Sequence, residues 1–359
     1  MEGMKISDIS FEVMHFPLQK PFHVAFGTIS SMDTCIVRIR TDDGMTGWGE
    51  AAPLPYVTGD NLETILSVGN DMKRSLTGMD PRSIGTIHNI MDSLYDGNTA
   101  VKAGIDLACY DLVSKKAGVP LYVYLGGSDP HLVSDVTIGI DRPDIMAAEA
   151  VSYVNCGFSI LKIKLGETVK ADVERIAAIR QAVGEDVILR TDANQGWCVR
   201  DAVRAASLLE QYGVDLIEQP VKAWDIEGLQ EVKANSHIRI AADESVHLPQ
   251  DAMRIARTGG ADVVNIKLMK CGGIYRALQI NAICEAAGIS CMIGCMGESP
   301  LANAAGLHLA AALRNLQEID LDSGVILKHD HMQAGYLQNG SNITLGSQPG
   351  IGFDMEGEQ

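Results

Sequence analysis

Apolar and polar positions change rhythm along the chain. Up to residue 50 they alternate, as in Ile6-Ser7-Asp8-Ile9-Ser10-Phe11 and Cys35-Ile36-Val37-Arg38-Ile39-Arg40; after a turn at Asp42-Asp43-Gly44 the pattern resumes in Met45-Thr46-Gly47-Trp48-Gly49-Glu50. A period of two predicts an antiparallel sheet of about three strands. Between residues 61 and 125 the spacing lengthens to three and four. Asn61 is placed to cap a helix carrying Leu62, Ile65 and Leu66. Val101, Ile105, Ala108 and Leu112 mark a second helix over 100–118, ended by Gly118-Val119-Pro120. Residues 1–128 therefore predict an α+β unit. From Val133 onward short apolar runs alternate with helical stretches such as 173–183 and 202–212. The runs at 136–140, 160–164, 187–192, 216–218, 238–243, 263–267, 289–294 and 317–320 read as buried strands. Eight strands joined by helical crossovers predict a closed (β/α) TIM-type barrel over 129–324. The Gly-rich remainder, 325–359, alternates again at Ser341-Asn342-Ile343-Thr344-Leu345 and is expected to return to the first unit.

Composition narrows what such a chain can do. Of 359 residues, 46% are apolar, enough for a large core, and the net charge is −17. That charge argues against nucleic acid or an anionic membrane as partner, since both call for basic patches. The eight cysteines are scattered, most of them within apolar runs; Cys291 and Cys295 are four apart, but no second pair completes a zinc spacing. No signal peptide and no apolar run of roughly 18 residues is evident. A cytoplasmic homo-oligomer acting on a small molecule is expected.

The chemistry lies at the strand ends. Lys164, Asp192, Glu218, Asp243 and Lys267 each close an apolar run, about 25 residues apart, the length of one strand, one helix and two short loops. Asp320 follows after a double interval. C-terminal strand ends are where a (β/α) barrel carries its active site. In Ile160-Leu161-Lys162-Ile163-Lys164 the two lysines share one face, which an edge strand with a solvated lysine face would also show. Each carboxylate alone could cap a helix. Three in register on consecutive strands converge, and like charges crowded together call for a hard cation. Three carboxylates with open coordination positions suit Mg²⁺. Lys164 and Lys267, on the second and sixth strands of a ring of eight, would face each other across the barrel. A substrate on the ion would then have one amine on each side, an arrangement for taking a proton from one face of a carbon and returning it on the other. Mg²⁺ stabilises the enediolate left when the proton beside a carboxylate departs. Lysine is a poor base near its free pKa of about 10.4. The ion and the ammonium group of Lys162 would both favour the neutral form, giving Lys162 a supporting role.

The order Lys-x-Lys, Asp-Ala-Asn-Gln, Glu-Gln-Pro, Ala-Asp-Glu-Ser, Asn-Ile-Lys resembles the enolase superfamily, muconate-lactonizing subgroup, over essentially the whole chain, including Trp48-Gly49-Glu50 and Pro120-Leu121-Tyr122. A Lys base with Mg²⁺ and an enediolate is that superfamily's general chemistry. The resemblance implies an N-terminal capping domain whose loops close over a modified barrel, Asp192, Glu218 and Asp243 as Mg²⁺ ligands, and Lys164 and Lys267 as the acid/base pair. Within the subgroup, Glu318-Ile319-Asp320-Leu321-Asp322 resembles the dipeptide epimerases, where Asp-x-Asp binds the substrate's α-ammonium; a strand-end cap or solvated turn is the plainer alternative. Ile266-Lys267-Leu268-Met269-Lys270 and Ile293-Gly294-Cys295-Met296-Gly297-Glu298 look like the same group, which puts Met296 and Glu298 near the substrate at the seventh strand's end. Epimerases acting on L-Ala-Glu carry an arginine where Gly27 stands, which speaks against an acidic C-terminal residue here. Phe22, Phe26, Ile29 and Tyr56 in the expected lid loops suggest an apolar side chain; acidic groups such as Asp60 leave room for a cationic one. These residues could equally be capping-domain core, the commoner fate of Phe. Trp197 either shields the site or packs, and His329-Asp330-His331 is expected in solvent or at an oligomer contact. The expected function is Mg²⁺-dependent inversion of the α-carbon of the C-terminal residue of an L,L-dipeptide. The alternatives are N-acylamino acid racemisation, o-succinylbenzoate synthesis or cycloisomerisation on the same scaffold, or a non-catalytic barrel that binds a peptide.

Overall fold

The computed structural model describes residues 4–24, 27–328 and 335–353. The chain opens with a three-stranded antiparallel sheet, β1 (Ile6–Val24), β2 (Gly27–Thr41) and β3 (Thr46–Ala51), in that order. Against it lie α1 (Leu62–Leu76), α2 (Ile84–Leu94) and α3 (Thr99–Ala117). Asn61 caps α1 as expected: its Oδ1 accepts from the Thr64 amide at 2.9 Å, and its own amide donates to Thr64 Oγ1 at 2.9 Å. Ile9, Ile39, Ile65, Met72 and Ile105 fill the space between sheet and helices. Residues 100–114 of α3 are all buried, because the sheet covers one side and the barrel segments Leu268–Cys271 and Ile274–Ala286 the other. The sheet and α3 meet backbone to backbone. A Cβ on Gly49 would lie 2.1 Å from the Gly104 carbonyl oxygen.

β1 and β2 run well beyond the strands expected from sequence, as a two-stranded arm. Its apolar residues, Phe16 and Leu18, pack on Leu327 rather than on the capping core. The pairing slips between Pro17 and Phe22, where two prolines cannot donate to a ladder.

After α4 (Leu121–Tyr124) and β4 (His131–Val133) come eight parallel strands: β5 (Val136–Ile138), β6 (Ile160–Lys164), β7 (Ile188–Asp192), β8 (Val214–Glu218), β9 (Arg239–Ala242), β10 (Val263–Lys267), β11 (Ser290–Gly294) and β12 (Leu316–Asp320). They are neighbours in sequence order, and the helices between them are α5 (Pro143–Asn155), α6 (Val169–Val183), α7 (Val199–Leu209), α8 (Ile226–Ala234), α9 (Pro249–Thr258), α10 (Leu268–Cys271), α11 (Ile274–Ala286) and α12 (Pro300–Ala312). All eight expected strands are present, with ends moved by one or two residues. Register aligns the chemistry: Lys164 pairs with Asp192, Asp192 with Glu218, Lys267 with Gly294 and Gly294 with Asp320.

The ring closes between β5 and β12 through few bonds. The Asp135 amide donates to the Ile319 carbonyl at 3.1 Å, Ser134 Oγ links Ile319 and Leu321, and the Thr137 amide donates to Asp322 Oδ2 at 2.6 Å. After α13 (Ser323–Ile326), Leu327 bridges Leu18 of the arm. β13 (Tyr336–Asn339) and β14 (Asn342–Leu345) form a small sheet with β4. Gly350 then pairs with Pro120 next to α4. Among the described residues no helix is long and apolar enough to cross a membrane.

Candidate active site

Asp192, Glu218 and Asp243 come together at the C-terminal mouth of the barrel, each buried, with one oxygen from each within 4.8 Å of the others. None of the three caps the helix that follows; Cys198, Asp225 and Leu248 hold those positions. Neighbouring groups aim each carboxylate. Asp192 Oδ1 accepts from the Asn194 amide at 2.9 Å, and Glu218 Oε1 accepts from Asn265 Nδ2 at 2.7 Å. Gln219 Oε1 accepts from the amides of Asp243 at 2.9 Å and Ser245 at 3.1 Å, tying the end of β9 to the end of β8. Asn194, Gln195 and Gln219 have φ of 40°, 67° and 35°. Left-handed backbone costs a non-glycine residue on the order of 1–3 kcal/mol and clusters where function over-determines the chain.

Four lysines surround the acids. Lys162 Nζ lies 2.6 Å from Asp320 Oδ2, 2.7 Å from Glu218 Oε2 and 3.2 Å from Asp192 Oδ2. Lys164 Nζ is 2.6 Å from Asp192 Oδ2, and Lys267 Nζ is 2.8 Å from Asp243 Oδ2. Lys270, to which the sequence assigned no role, is fully buried with Nζ 2.5 Å from Asp243 Oδ1 and 3.1 Å from the Asn265 carbonyl. Burial opposes every charge here, and neighbours decide the outcome. Burial would raise Asp192, but the ammonium groups of Lys164 and Lys162 outweigh it and hold the carboxyl at about 2. Burial, followed by the charge of Asp192, pushes Glu218 up to about 8. Burial would lower Lys267, yet Asp243 and Glu218 hold it above its usual value. Asp192, Glu218, Asp243, Glu244, Asp320 and Asp322 face Lys162, Lys164, Lys267 and Lys270. Carboxyl groups outnumber ammonium groups here, and the raised Glu218 carboxyl marks crowded negative charge that a divalent cation would relieve. Three convergent, hard carboxylate ligands fit Mg²⁺.

A cavity opens beside this cluster, lined by Lys164, Asn194, Asp243, Glu244, Lys267, Asp320 and Asp322, with Met32, Leu54, Val57, Met296 and Ile326 as its apolar wall. Asp320 ends β12 and is bound by Lys162; Asp322 follows it, its Oδ2 taken by Thr137 and its Oδ1 3.7 Å from Cys295 Sγ. Met296 also lines an adjoining outer cavity with Gly27 and the exposed Tyr56. Glu298 lines neither. Its carboxylate turns back to accept from the amides of Met296 at 2.6 Å and Gly297 at 2.9 Å. Asp60 is likewise elsewhere, buried and accepting from the Ala100 amide at the start of α3. Trp197 packs in the core and donates to Asp172. Phe26, the side chains of Phe22 and Ile29, and His329-Asp330-His331 lie outside the described residues.

Residues 8–126 match the mandelate racemase / muconate lactonizing enzyme N-terminal domain, and residues 145–359 match the enolase C-terminal domain-like family. The chain is 45% identical to the hydrophobic dipeptide epimerase of Enterococcus faecalis, over 98% of this chain and 99% of that one. It is 43% identical to the L-Ala-D/L-Glu epimerase of Clostridium acetobutylicum, over 98% and 99%. The crystal structure of the dipeptide epimerase from Enterococcus faecalis, complexed with Mg and the dipeptide L-Leu-L-Tyr, matches with a TM-score of 0.96 at 44% identity, covering 98% of this chain and 100% of that chain.

Proposed function

The chain belongs to the mandelate racemase / muconate lactonizing family of the enolase superfamily, and we propose that it is an Mg²⁺-dependent dipeptide epimerase that inverts the α-carbon of the C-terminal residue of an L,L-dipeptide. The observation that carries this proposal is the pair Lys164 and Lys267, on the second and sixth of eight strands, lining one cavity with Asp243, one of three convergent carboxylates. Asp192, Glu218 and Asp243 would hold Mg²⁺, which when bound supplies positive charge to the substrate carboxylate as its α-proton leaves. One lysine takes the α-proton at Nζ, and the other delivers a proton to the opposite face. Lys267 can act in its neutral form only where Asp243 and Glu218 are otherwise neutralised, since both hold its proton in place. Asp320 and Asp322 receive the α-ammonium from the eighth strand, which fixes the peptide across the barrel. Lys162 spans Asp320, Glu218 and Asp192 and keeps the two ends of that track in register.

The side chain on the inverted carbon is apolar in this proposal. Met32, Leu54, Val57, Met296 and Ile326 wall the inner cavity, and no lysine or arginine lines the outer one among the described residues. The similarity to the hydrophobic dipeptide epimerase supports the same choice. Asp33 and Glu63 on the outer cavity favour a cationic side chain as the second possibility. A cytoplasmic homo-oligomer remains the expected state; all eight cysteines are free, as a reducing compartment would keep them. The test is ¹H NMR in D₂O with Mg²⁺ across a dipeptide library. Loss of the α-hydrogen signal of the C-terminal residue, strongest for apolar side chains, is expected. Exchange of N-acylamino acids but not of dipeptides would move the assignment to the racemases, and no exchange with any carboxylate would end the enzymatic proposal.

A further inference from the structure

Among the described residues, two hydrogen-bond acceptors lining the catalytic cavity lack a donor from another residue. Glu244 follows the ligand Asp243, is 7% exposed, and accepts from Asn194 Nδ2 at 3.3 Å through Oε1. Among the described residues no other residue donates to its Oε2 or to Asn194 Oδ1. Both side chains line the cavity shared by Lys164, Asp243 and Lys267. They project from the ends of the third and fifth barrel strands, on either side of Glu218 on the fourth. A buried carboxylate oxygen left without a donor is costly, so a partner is to be expected.

Among the described residues no other side chain supplies one. Lys162 is taken by Asp320, Glu218 and Asp192, Lys164 by Asp192, and Lys267 and Lys270 by Asp243. A dipeptide brings an α-ammonium, already assigned to Asp320 and Asp322 on the far strand, and a single amide N–H. Mg²⁺ takes six oxygen ligands and retains water readily. If three protein carboxylates and two oxygens of a substrate carboxylate were bound, one position would be left for water. That water carries two O–H bonds, and the cavity offers two acceptors without donors. We propose that Glu244 and Asn194 form the seat of the water retained by the ion, as positioning residues that ligate neither ion nor substrate. This rests on the Mg²⁺ assignment of Asp192, Glu218 and Asp243. The left-handed backbone of Asn194 fits the role, since it brings the side chain of a residue two places beyond one ligand over to a residue one place beyond another.

The experiment uses Mn²⁺ as the probe, with the whole protein and no substrate. Electron paramagnetic resonance of free Mn²⁺ gives the affinity, and water-proton relaxation enhancement reports water held on the bound ion. Glu244→Gln keeps the shape and the bond to Asn194 but presents an N–H where the water needs an acceptor. Expected are Mn²⁺ affinity lower by about 10–100-fold, the range for lost outer-shell partners, an altered relaxation enhancement, and an unchanged melting temperature of the ion-free protein. Unchanged affinity and enhancement in Glu244→Gln overturn the proposal, as does a change in melting temperature alone. If wild-type protein binds no Mn²⁺, the metal assignment fails and this inference fails with it; wild-type binding that Glu244→Gln leaves intact removes only the water seat. Should Glu244→Gln not fold, Asn194→Gly, which suits the φ of 40°, removes the other acceptor and is read the same way.

Discussion

Asp322→Asn separates two jobs that one carboxylate performs. Asp320 is neutralised by Lys162 at 2.6 Å, whereas among the described residues no lysine or arginine pairs with Asp322. Burial, followed by the charge of Asp320, raises the Asp322 carboxyl above its ordinary value, so its ionised form is held at some cost to the fold. An ammonium group brought in by the substrate would relieve that cost. Two unit charges about 4 Å apart at an effective dielectric of about 20 attract by about 4 kcal/mol, an upper bound here because Asp320 shares the contact. A loss of about 2–4 kcal/mol corresponds to a fall in kcat/KM of roughly 30- to 1000-fold. The same substitution should spare the barrel seam, because the Asn carbonyl can still accept from the Thr137 amide, now 2.6 Å from Oδ2. Removing an unfavourably buried charge should leave the melting temperature of the substrate-free protein equal or higher. The assay compares α-deuterium exchange of a dipeptide with that of its N-acetylated form, which has no ammonium group. Wild type should discriminate strongly, and Asp322→Asn should lose most of that discrimination. If the ratio is preserved while the protein melts several degrees lower, Asp322 is a clasp on the seam and the ammonium site must be sought elsewhere.

Lys164→Ala and Lys267→Ala should each abolish epimerisation, while one of them retains α-deuterium exchange from a single stereoisomer; two variants that both epimerise normally would refute the two-base scheme. His308 supplies a pH dependence of stability. Its Nδ1 accepts from the Tyr122 amide at 3.2 Å, its Nε2 donates to the Ile351 carbonyl at 3.2 Å, and burial holds it at about 4 against an ordinary 6.5. The unfolded chain therefore binds a proton that the folded chain refuses between pH 6.5 and 4. This contribution is complete above pH 6.5 and is lost as pH falls towards 4, by up to about 3 kcal/mol. His308→Gln, able to make both bonds without titrating, should flatten the fall in melting temperature over that window relative to wild type; parallel curves would refute the assignment. Gly49→Ala would place a Cβ 2.1 Å from the Gly104 carbonyl and 2.8 Å from the Ala108 amide, where only backbone could give way. Overpacking of that kind costs about 1–3 kcal/mol or more, visible as a lower melting temperature, and an unchanged melting point would show that the sheet and α3 are less closely apposed.

The catalytic mouth was legible because its signal is periodic. A barrel repeats one strand and one helix at near-constant length, so charged residues closing successive apolar runs announce a shared rim. Gln219 and Lys270 carried no such mark, and Asn265, on the face of β10 that carries Lys267, had no role assigned to it. Lys270 lies three residues past Lys267 in a short helix and reads as surface until Asp243 and Asn265, from other elements, close around it. Glu298 is the converse case. Its place near the end of β11 was right, but position along a strand does not set a side chain's torsions, and two local amides captured it. The long arm escaped notice because its apolar residues serve a surface distant in sequence, around Leu327.

The Asp-x-Asp pair makes the deeper point. From sequence, a strand-end cap and an ammonium site were rivals for Asp322. In the folded chain one oxygen caps the Thr137 amide across the barrel seam, while Asp322 lines the substrate cavity with no lysine or arginine paired to it among the described residues. The seam between β5 and β12 has little ladder of its own, so a residue that binds substrate there also helps close the ring. Binding and closure are then coupled through one side chain. Dipeptide should raise the melting temperature of wild type beyond what it does for Asp322→Asn, and equal stabilisation of both would break that link.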